Sequence, residues 1–404
     1  MSAPAVLVIG GGPAGTFAAI AARKQSPDRE VRLLTEEHCE PYEKPPLSKG
    51  VLVGRSAPAD APIAGPGGLA SHHVVLECHA SCIRIDRAER TVVLAGARPL
   101  PYSALVIATG SLVRELPQLP VGTPRVHYLR TEADALRLNA ALRDTRRLLV
   151  IGGGLIGLEV AASAAELGVA VTVLELAPRV LERVCNEAIA SRIADEHRRR
   201  GVELRVGSAM ASATADANEV EVVTASGERL VADTVVVGTG ARPNDALAAA
   251  AGLQVRDGIV VDEYCRTSDP AIFAAGDVVR FPGPHGPVRL ENWKHAQDQG
   301  IVAGKNAAGA SEVYNVTPSF WSEQYGLYVQ GVGWPMSGTT LVTRPLQDSA
   351  ALTFDVLDGR IVGALGINVQ RDMAAVRRLI ERGTVIDPVA LADPSQPLAA
   401  MLKR

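Results

Sequence analysis

Glycines recur at one spacing in two places along this chain of 404 residues. The two sets are Gly10, Gly12 and Gly15, and Gly152, Gly154 and Gly157. In a G-x-G-x-x-G turn the first glycine allows a tight bend, the second lets a pyrophosphate approach the backbone, and the third lets a helix pack closely on a strand. The spacing therefore predicts two turns that can each hold a dinucleotide at the start of a helix.

A carboxylate follows each glycine set at a distance that suits a ribose. Glu36 follows the first set, with its neighbour Glu37 as an alternative, and Glu175 follows the second. An acid in this position accepts hydrogen bonds from ribose hydroxyls and repels a 2′-phosphate, so Glu175 favours NADH over NADPH. Arg179 leaves that preference open, because a nearby arginine can accommodate the phosphate.

The surrounding sequence has the pattern of the elements that must position these turns. Residues 5–9 (AVLVI) predict a buried strand, residues 16–23 an Ala-rich helix, and residues 31–37 a second strand that ends at the acid. The same order recurs over 148–176. One glycine turn is weak evidence, but two complete units predict an α/β fold with two Rossmann-like dinucleotide-binding domains.

Several longer segments are typical of one family. PYEKPPLSKG at 41–50 and FWSEQY at 320–325 are the most specific, and LVIATG, YLRT, VVVGTGARPN and TSDPAIFAAGD also match. On these segments the chain resembles the FAD-dependent NADH:ferredoxin reductases, the reductase components of ring-hydroxylating dioxygenase and cytochrome monooxygenase systems. Putidaredoxin and rubredoxin reductases are relatives within that family. The resemblance covers nearly the whole chain and implies FAD and NAD as cofactors.

The resemblance also implies which residues surround the two dinucleotides. It places Lys49 beside the flavin and paired with Glu159, as the two catalytic residues, where the lysine charge stabilises negative charge on the reduced ring. It places Asp277 at the ribityl chain, Arg130 against FAD, and the start of a helix at Trp293 near the pyrimidine ring. The candidate cofactor-binding residues are Gly10, Gly12, Pro13, Ala14, Gly15, Glu36, Glu37, Pro45, Lys49, Ala108, Thr109, Gly110, Arg130, Gly152, Gly154, Leu155, Ile156, Gly157, Glu159, Glu175, Gly240, Asp277 and Trp293.

The residue types alone leave simpler roles open at the same positions. Lys49 also fits a solvated surface lysine, Glu159 a carboxylate that a helix dipole stabilises, and Asp277 a buried structural carboxylate. Pro45 and Pro46 fix φ and predict a rigid wall of the pocket. Lys49 is expected at the start of a helix.

The order of the motifs predicts three domains. They are a discontinuous FAD-binding domain at 1–111 and 233–310, an NAD(H)-binding domain at 112–232, and a small α+β C-terminal domain at 311–404. In the last of these, ALTFDVL, Asp358-Gly359 and RIVGALGINV predict a β-hairpin, and a basic helix is expected at 372–383.

The cysteines have neither a disulfide nor a metal-binding pattern. They stand at positions 39, 78, 82, 185 and 265. No C-x-x-C pair occurs, and the number is odd. Disulfide reductases of this superfamily carry a cysteine pair on the first helix, which here has no cysteine. Cys78 and Cys82 lack further ligands at metal-binding spacing, so no metal is expected. Electrons should therefore leave the flavin singly, without a thiol.

Charge and hydropathy limit the classes of partner. The net charge of −3 argues against a nucleic-acid partner. The apolar N-terminal run breaks at Gly10, far short of the ~20 residues of a membrane span, so a cytoplasmic protein without a membrane contact is expected. The resemblance implies a small acidic [2Fe–2S] ferredoxin as partner. Basic stretches at 197–200 and 377–382 could steer it or simply face solvent. Monomer and homodimer both stay open.

Together these features predict a flavoprotein oxidoreductase that passes hydride from NADH to FAD and then single electrons to the ferredoxin of an oxygenase. Two other functions stay open. One is an NADH oxidase or disulfide reductase that uses Cys39, and the other is a redox-signalling flavoprotein similar to the apoptosis-inducing factors. Phe320, Trp321 and Tyr325 either line the flavin and shape the electron exit or pack in a core.

Overall fold

A computed structural model describes residues 4–96, 98–334, 336, 338–347 and 350–402. Its helices are α1 (Pro13–Gln25), α2 (Glu132–Leu142), α3 (Leu155–Glu166), α4 (Glu187–Arg199), α5 (Ala246–Ala250), α6 (Trp293–Ala307), α7 (Gln370–Arg382), α8 (Pro388–Ala392) and α9 (Leu398–Met401). Short 3-10 helices span Pro45–Ser48, Pro58–Asp60 and Leu69–His72.

The strands are β1 (Ala5–Ile9), β2 (Val31–Leu34), β3 (Val75–Glu77), β4 (Cys82–Asp86), β5 (Thr91–Leu94), β6 (Leu100–Ile107), β7 (Ser111–Val113), β8 (Val126–His127), β9 (Arg147–Ile151), β10 (Ala170–Leu174), β11 (Glu203–Arg205), β12 (Met210–Ala215), β13 (Val220–Thr224), β14 (Arg229–Ala232), β15 (Thr234–Val237), β16 (Ala241–Pro243), β17 (Ile259–Val260), β18 (Ile272–Ala274), β19 (Val279–Gly283), β20 (Gly286–Val288), β21 (Ser319–Gln324), β22 (Leu327–Gly333), β23 (Thr340–Arg344), β24 (Ala351–Leu357) and β25 (Arg360–Ile367).

The chain divides into two units, and the first is built on a largely parallel sheet. This unit contains the chain up to Lys44 together with Ala57–Leu112 and Ala241–Val316. Its main sheet has the order β3-β2-β1-β6-β5-β4, and β18 also pairs with β6. Strands β3, β2, β1, β6 and β18 are parallel, while β5 and β4 are antiparallel additions. All of β1 is buried, as expected for a parallel strand that is covered on both faces.

The second unit combines a parallel sheet with two antiparallel ones, of which the smaller has the order β12-β13-β14. It contains Pro45–Ser56, Val113–Gly240 and the chain from Thr317 onward. The parallel sheet has the order β11-β10-β9-β15-β8, which is the strand order of a mononucleotide-binding half with one further strand. The C-terminal antiparallel sheet has the order β21-β22-β25-β24-β23.

The parallel sheet and the C-terminal sheet of the second unit share a hydrophobic core. Leu158 on α3 and Val173 on β10 belong to the same buried cluster as Val329 on β22 and Ile367 on β25. Strand β21 also packs against α3. The C-terminal sheet is therefore joined to the helix that follows the second glycine turn.

In the first unit, two glycines let α6 approach α1 closely. A Cβ at Gly300 would overlap the carbonyl oxygen of Ala14, and a Cβ at Gly304 would overlap that of Ala18. The two glycines are one helical turn apart and so lie on the same face of α6. This backbone contact fixes the position of the first turn of α1, which contains the last glycine of the first motif.

The predicted fold class is confirmed, with two Rossmann-like parallel sheets and a C-terminal region of antiparallel strands. The strand at 5–9 and the hairpin at 351–367 lie where the sequence predicted them. The first helix is longer than predicted because it begins at Pro13, where a missing N–H costs nothing. The division into three domains stays a prediction. No helix among the described residues is long and apolar enough to span a membrane.

Candidate functional site

The first glycine turn closes against the end of β6. Gly10 has φ +116°, and a Cβ there would overlap the carbonyl oxygen of Ala108. A Cβ at Gly15 would likewise overlap the carbonyl oxygen of Gly10. At Gly12, in contrast, a Cβ would meet none of the described atoms within 4 Å beyond its chain neighbours. Packing within the chain thus requires the first and third glycines, whereas the middle one faces open space, as a pyrophosphate site needs.

The second glycine turn repeats this geometry. Gly152 has φ +111°, and its Cβ would overlap the carbonyl oxygen of Gly238. A Cβ at Gly157 would overlap the carbonyl oxygen of Gly152, while one at Gly154 would meet none of the described atoms within 4 Å. The two turns therefore fit the same chemical group.

Each turn leads directly into a helix whose first N–H groups lack a side-chain cap. Gly12 is the N-cap of α1 and Gly154 that of α3, and neither makes a side-chain capping hydrogen bond. The first-turn N–H groups and the positive end of the helix dipole can therefore bind phosphate oxygens. The predicted residues of these first turns are Pro13, Ala14, Leu155 and Ile156.

The structure distinguishes between the two acids that follow the first turn. The Glu36 carboxylate accepts a hydrogen bond from Ser81 Oγ at 3.0 Å. Glu37 pairs through Oε1 with Lys44 Nζ at 3.1 Å, and its Oε2 accepts a hydrogen bond from the Tyr42 hydroxyl. The contacts of Glu37 are thus with residues close to it in sequence, whereas Glu36 contacts a residue 45 positions away.

Glu175 lies at the edge of the second turn. Its Oε2 accepts a hydrogen bond from Gly153 N at 2.5 Å, and its Oε1 accepts one from Ala177 N at 2.7 Å. The carboxylate is thereby fixed beside the turn, directly after β10. Arg179 forms an ion pair with Glu182 at 2.7 Å.

The ends of β6 and β15 carry matching short turns. Ala108, Thr109 and Gly110 follow β6, and Thr109 Oγ1 donates to the carbonyl oxygen of Asn244 at 2.7 Å. Gly240, with φ +104°, ends the corresponding turn after β15. In parallel sheets ligands bind at the carboxyl ends of strands, so both turns lie at the expected edge.

Asp277 and Trp293 occupy separate elements of the first unit. Asp277 follows β18, and its Oδ2 accepts a hydrogen bond from Ser111 Oγ at 3.1 Å. Trp293 is the first residue of α6, which Asn292 caps. Burial raises the pKa of Glu43, although the neighbouring Trp293 side chain acts in the opposite direction.

Two residues after Trp293, His295 is buried among aromatic rings. Its Nδ1 lies 2.8 Å from the hydroxyl of Tyr314, and its ring stacks on Phe281 with centroids 4.9 Å apart. Burial lowers the pKa of His295 to about 4, against a weaker opposing effect of the Asp277 charge. The imidazole is therefore neutral at physiological pH.

In the second unit, Lys49 and Glu159 form an ion pair. Lys49 Nζ lies 2.6 Å from Glu159 Oε2 and also donates to the carbonyl oxygen of Pro45 at 3.1 Å. Glu159 lies in the second turn of α3 and is only 4% exposed. The expected helix start at Lys49 is wrong, because Lys49 follows the 3-10 helix Pro45–Ser48 in a turn that continues into Gly50.

Two serines that the sequence interpretation did not single out complete this pair. Ser48 Oγ donates to Glu159 Oε2 at 2.5 Å, and Ser322 Oγ on β21 donates to Glu159 Oε1 at 2.6 Å. Ser163, one turn after Glu159, donates to the carbonyl oxygen of Ser48 at 2.7 Å. Ser48 lies inside the segment PYEKPPLSKG and Ser322 inside FWSEQY, the two most specific family segments. That location is the sequence signal by which the two serines could have been found.

The remaining predicted residues have structural contacts of their own. Arg130 lies just before α2, and its N–H donates to Asp134 Oδ2 at 3.1 Å. Tyr325 packs edge-on against His197 with centroids 4.9 Å apart. Burial raises the pKa of Tyr325 to about 12. Of the basic stretch at 197–200, Arg199 forms an ion pair with Glu196 at 2.6 Å.

The five cysteines are all free thiols. Burial raises the pKa of Cys82 and of Cys185 to about 12. Burial also raises the pKa of Cys78 and of Cys265. The thiolate is the reactive form, so these four thiols are poorly suited to redox chemistry. Cys78 Sγ lies 3.6 Å from the carbonyl oxygen of Cys39, to which it donates.

Known proteins resemble the chain over its full length. Residues 4–300 match the pyridine nucleotide-disulphide oxidoreductase family, and residues 319–402 match the reductase C-terminal family. The chain is 39% identical to the anthranilate 1,2-dioxygenase system ferredoxin--NAD(+) reductase component of Burkholderia cepacia, over 100% of both chains. It is 36% identical to rhodocoxin reductase of Rhodococcus erythropolis, over 99% of this chain and 94% of that one.

A solved structure of a similar reductase has the same fold as this chain. A chain in the crystal structure of the covalent putidaredoxin reductase–putidaredoxin complex has a TM-score of 0.93 and 32% identity, covering 100% of this chain and 99% of that one. FAD and NAD(H) are the cofactors that the family implies, and the two open glycine turns fit them. The chain belongs to the pyridine nucleotide-disulphide oxidoreductase family and, within it, to the ferredoxin reductases that its motifs resemble.

Proposed function

We propose that the chain is an NADH-dependent, FAD-containing ferredoxin reductase that supplies single electrons to an oxygenase system. The observation that carries this proposal is the pair of glycine turns, each open at its middle glycine, Gly12 or Gly154. Each turn fits one dinucleotide, as hydride transfer between two dinucleotides requires. The relatives support the acceptor, because their names are those of ferredoxin--NAD(+) and rhodocoxin reductases.

The first turn is assigned to FAD. Its glycines and the start of α1 would bind the pyrophosphate, Glu36 the ribose, and Asp277 the ribityl hydroxyls. Held by these residues, FAD would supply the chemistry of hydride acceptance and one-electron release. The remaining residues proposed to contact it are Pro13, Ala14, Pro45, Ala108, Thr109, Gly110, Arg130 and Trp293.

The second turn is assigned to NADH, with Lys49 and Glu159 at its reacting end. Glu159 lies on α3, the helix that begins at this turn, so the ion pair is positioned by the same element that would bind the nucleotide phosphates. The Lys49 ammonium supplies positive charge where negative charge develops during transfer. Glu159 holds that ammonium in place.

We further propose that NADH is preferred over NADPH. The fixed Glu175 carboxylate would accept hydrogen bonds from a ribose and repel a 2′-phosphate. Arg179 would have to leave its ion pair with Glu182 to neutralise that phosphate.

The proposed acceptor is a [2Fe–2S] ferredoxin, and the proposed location is the cytoplasm, where thiols stay reduced. Arg377 donates to the carbonyl oxygen of Thr317 at 3.2 Å, and Arg382 to that of Leu402 at 2.9 Å. We propose that the basic stretch at 377–382 steers an acidic ferredoxin by electrostatic attraction. Turnover that does not change with salt concentration would exclude this steering.

The test is purification of the chain, an absorption spectrum, and NADH-driven cytochrome c reduction with and without a candidate [2Fe–2S] ferredoxin. A flavin spectrum and a rate that depends on ferredoxin are expected, with a higher kcat/KM for NADH than for NADPH. A protein that binds no flavin after reconstitution would overturn the proposal. A flavoprotein that reduces oxygen directly, or forms a stable complex with NADH without ferredoxin turnover, would favour one of the alternatives.

A further inference from the structure

The Glu159 carboxylate is buried, yet both of its oxygens accept hydrogen bonds. Oε2 receives Ser48 Oγ at 2.5 Å and Lys49 Nζ at 2.6 Å, while Oε1 receives Ser322 Oγ at 2.6 Å. A buried carboxylate is strongly unfavourable unless such donors satisfy it. The two serine hydroxyls therefore stabilise the buried carboxylate together with the Lys49 ammonium.

The two serines are themselves fully enclosed. Ser48 is 1% exposed and Ser322 0% exposed. Each hydroxyl has one proton to donate. For Ser48, the carbonyl oxygen of Pro45 is a distant second acceptor at 3.5 Å, against 2.5 Å to Glu159. Both protons are thus directed at the carboxylate.

The donors also fix the orientation of the carboxylate. The terminal torsion of a glutamate is broad, so a carboxylate held through one oxygen can rotate. Here Ser322 binds one oxygen while Ser48 binds the other, and rotation would break one of these bonds. The oxygen that meets Lys49 therefore keeps a defined position.

The two serines reach Glu159 from remote parts of the chain. Ser48 belongs to the 3-10 helix Pro45–Ser48, which Ser163 also ties to α3. Ser322 belongs to β21 of the C-terminal sheet, which packs on α3. The C-terminal sheet thereby contributes one hydroxyl to the ion-pair site.

We propose that Ser48 and Ser322 are positioning residues that hold the Glu159 carboxylate and, through it, the Lys49 ammonium. This inference rests on the proposed function for its catalytic meaning, because Lys49 and Glu159 act there. Independently of that function, we expect the Lys49–Glu159 ion pair to weaken when either serine hydroxyl is removed.

The test follows the reactivity of Lys49 toward an acetylating N-hydroxysuccinimide ester, measured by peptide mass spectrometry on the full chain. The chain has few lysines, and Lys305, which pairs with Glu312 at 2.9 Å, is an internal reference in the first unit. The variants are Ser322→Ala, Ser48→Ala, Glu159→Gln and Ser322→Ala combined with Glu159→Gln. Thr234→Val is the matched control, because it removes a buried hydroxyl whose partner is Thr145.

We expect Ser322→Ala and Ser48→Ala each to raise the labelling rate of Lys49 by about threefold to tenfold, the range of one ordinary hydrogen bond, because Lys49 responds to the lost bond only through Glu159. Glu159→Gln should raise it further, and adding Ser322→Ala to Glu159→Gln should change it less than twofold, since the hydroxyl acts through the carboxylate. The rate of flavin reduction by NADH should fall in each serine variant and fall further in Glu159→Gln. The Kd for NADH should stay nearly constant in all of them.

Labelling of Lys49 that stays unchanged in both serine variants, or that rises equally in Thr234→Val, would overturn the proposal. An equal effect of Ser322→Ala with and without Glu159→Gln would also overturn it. Failure of the proposed function has a different signature, because a wild-type chain that NADH cannot reduce would still show the labelling pattern.

Discussion

The three glycines of each motif are needed for different reasons at the residue scale. Gly157 is needed because a Cβ would overlap the carbonyl oxygen of Gly152. Gly154 has φ −79°, which any residue can adopt, and open space where its side chain would be. Substitutions at these two positions should therefore separate folding from nucleotide binding.

We predict that the free energy of unfolding of Gly154→Ala lies within about 1 kcal/mol of the wild-type value, the usual range for a changed N-cap residue. It should raise the KM for NADH by about tenfold or more, because the methyl group blocks a hydrogen bond to phosphate that contributes about 1.5–3 kcal/mol. Urea unfolding and steady-state kinetics measure the two effects. Gly157→Ala is the control and should lose about 1–3 kcal/mol of stability through overpacking. An unchanged KM in Gly154→Ala would argue against a ligand at the open position.

The buried His295 predicts a pH dependence of stability. Its pKa is about 4 in the folded chain, and a histidine in the unfolded chain has a pKa of about 6.5. Between these values the unfolded state binds more protons, so the free energy of unfolding should fall as the pH drops from 6.5 toward 4, by at most about 3 kcal/mol from this residue. His295→Gln should flatten this part of the curve, measured by denaturant unfolding at several pH values. The exposed His285→Gln is the control, and an equal flattening there would contradict the assignment.

The sequence could not separate candidates that lie one residue apart or contacts between remote segments. Spacing allowed both Glu36 and Glu37 as the ribose acid, and the contacts of Glu37 with Lys44 and Tyr42 became visible only in the folded chain. Ser322 meets Glu159 across 163 residues of sequence. No local pattern encodes such a contact, because it arises from the packing of β21 on α3.

At the scale of elements, local patterns predicted more. Strand β1, the hairpin of β24 and β25, and helix α7 follow from alternation, a turn dipeptide and helical periodicity. The close packing of α6 on α1 was not predicted, because Gly300 and Gly304 look like weak points in a helix until the partner backbone is known.

We predict that Gly304→Ala destabilises the first unit despite the higher helix propensity of alanine. The new Cβ would overlap the carbonyl oxygen of Ala18, so the helices must move apart at an expected loss of about 1–3 kcal/mol. Thermal unfolding of the purified chain measures this loss, together with release of bound flavin. Lys305→Ala on the same helix should change stability by less than about 1 kcal/mol, since its ion pair is solvent-exposed. A stabilised Gly304→Ala would show that the helix contact is looser than described.

At the scale of the whole molecule, the cysteine thiols bear on whether electrons leave the flavin through a reactive thiolate or directly to a ferredoxin. Burial raises the pKa of four of the five cysteines, so electron transfer through a reactive thiolate is disfavoured at those positions. Cys39 is then the thiol left to test.

We predict that Cys39→Ser keeps ferredoxin-dependent turnover within about twofold of the wild type, a change well below the 1.4 kcal/mol of a tenfold effect. The measurement is NADH-driven reduction of the ferredoxin under anaerobic conditions. Lys49→Ala serves as the opposite control and should slow flavin reduction. Loss of most activity in Cys39→Ser would instead support an NADH oxidase or disulfide reductase mechanism.

The hydrophobic core shared by the parallel sheet and the C-terminal sheet of the second unit limits how this chain can be recombined with its relatives. Val329 and Ile367 pack in the same cluster as Leu158, and Ser322 binds Glu159 on the same helix. A chimera that exchanges only the last ~90 residues would bring a foreign surface against α3. Productive exchange should therefore carry α3 and the C-terminal sheet together, as one inherited block.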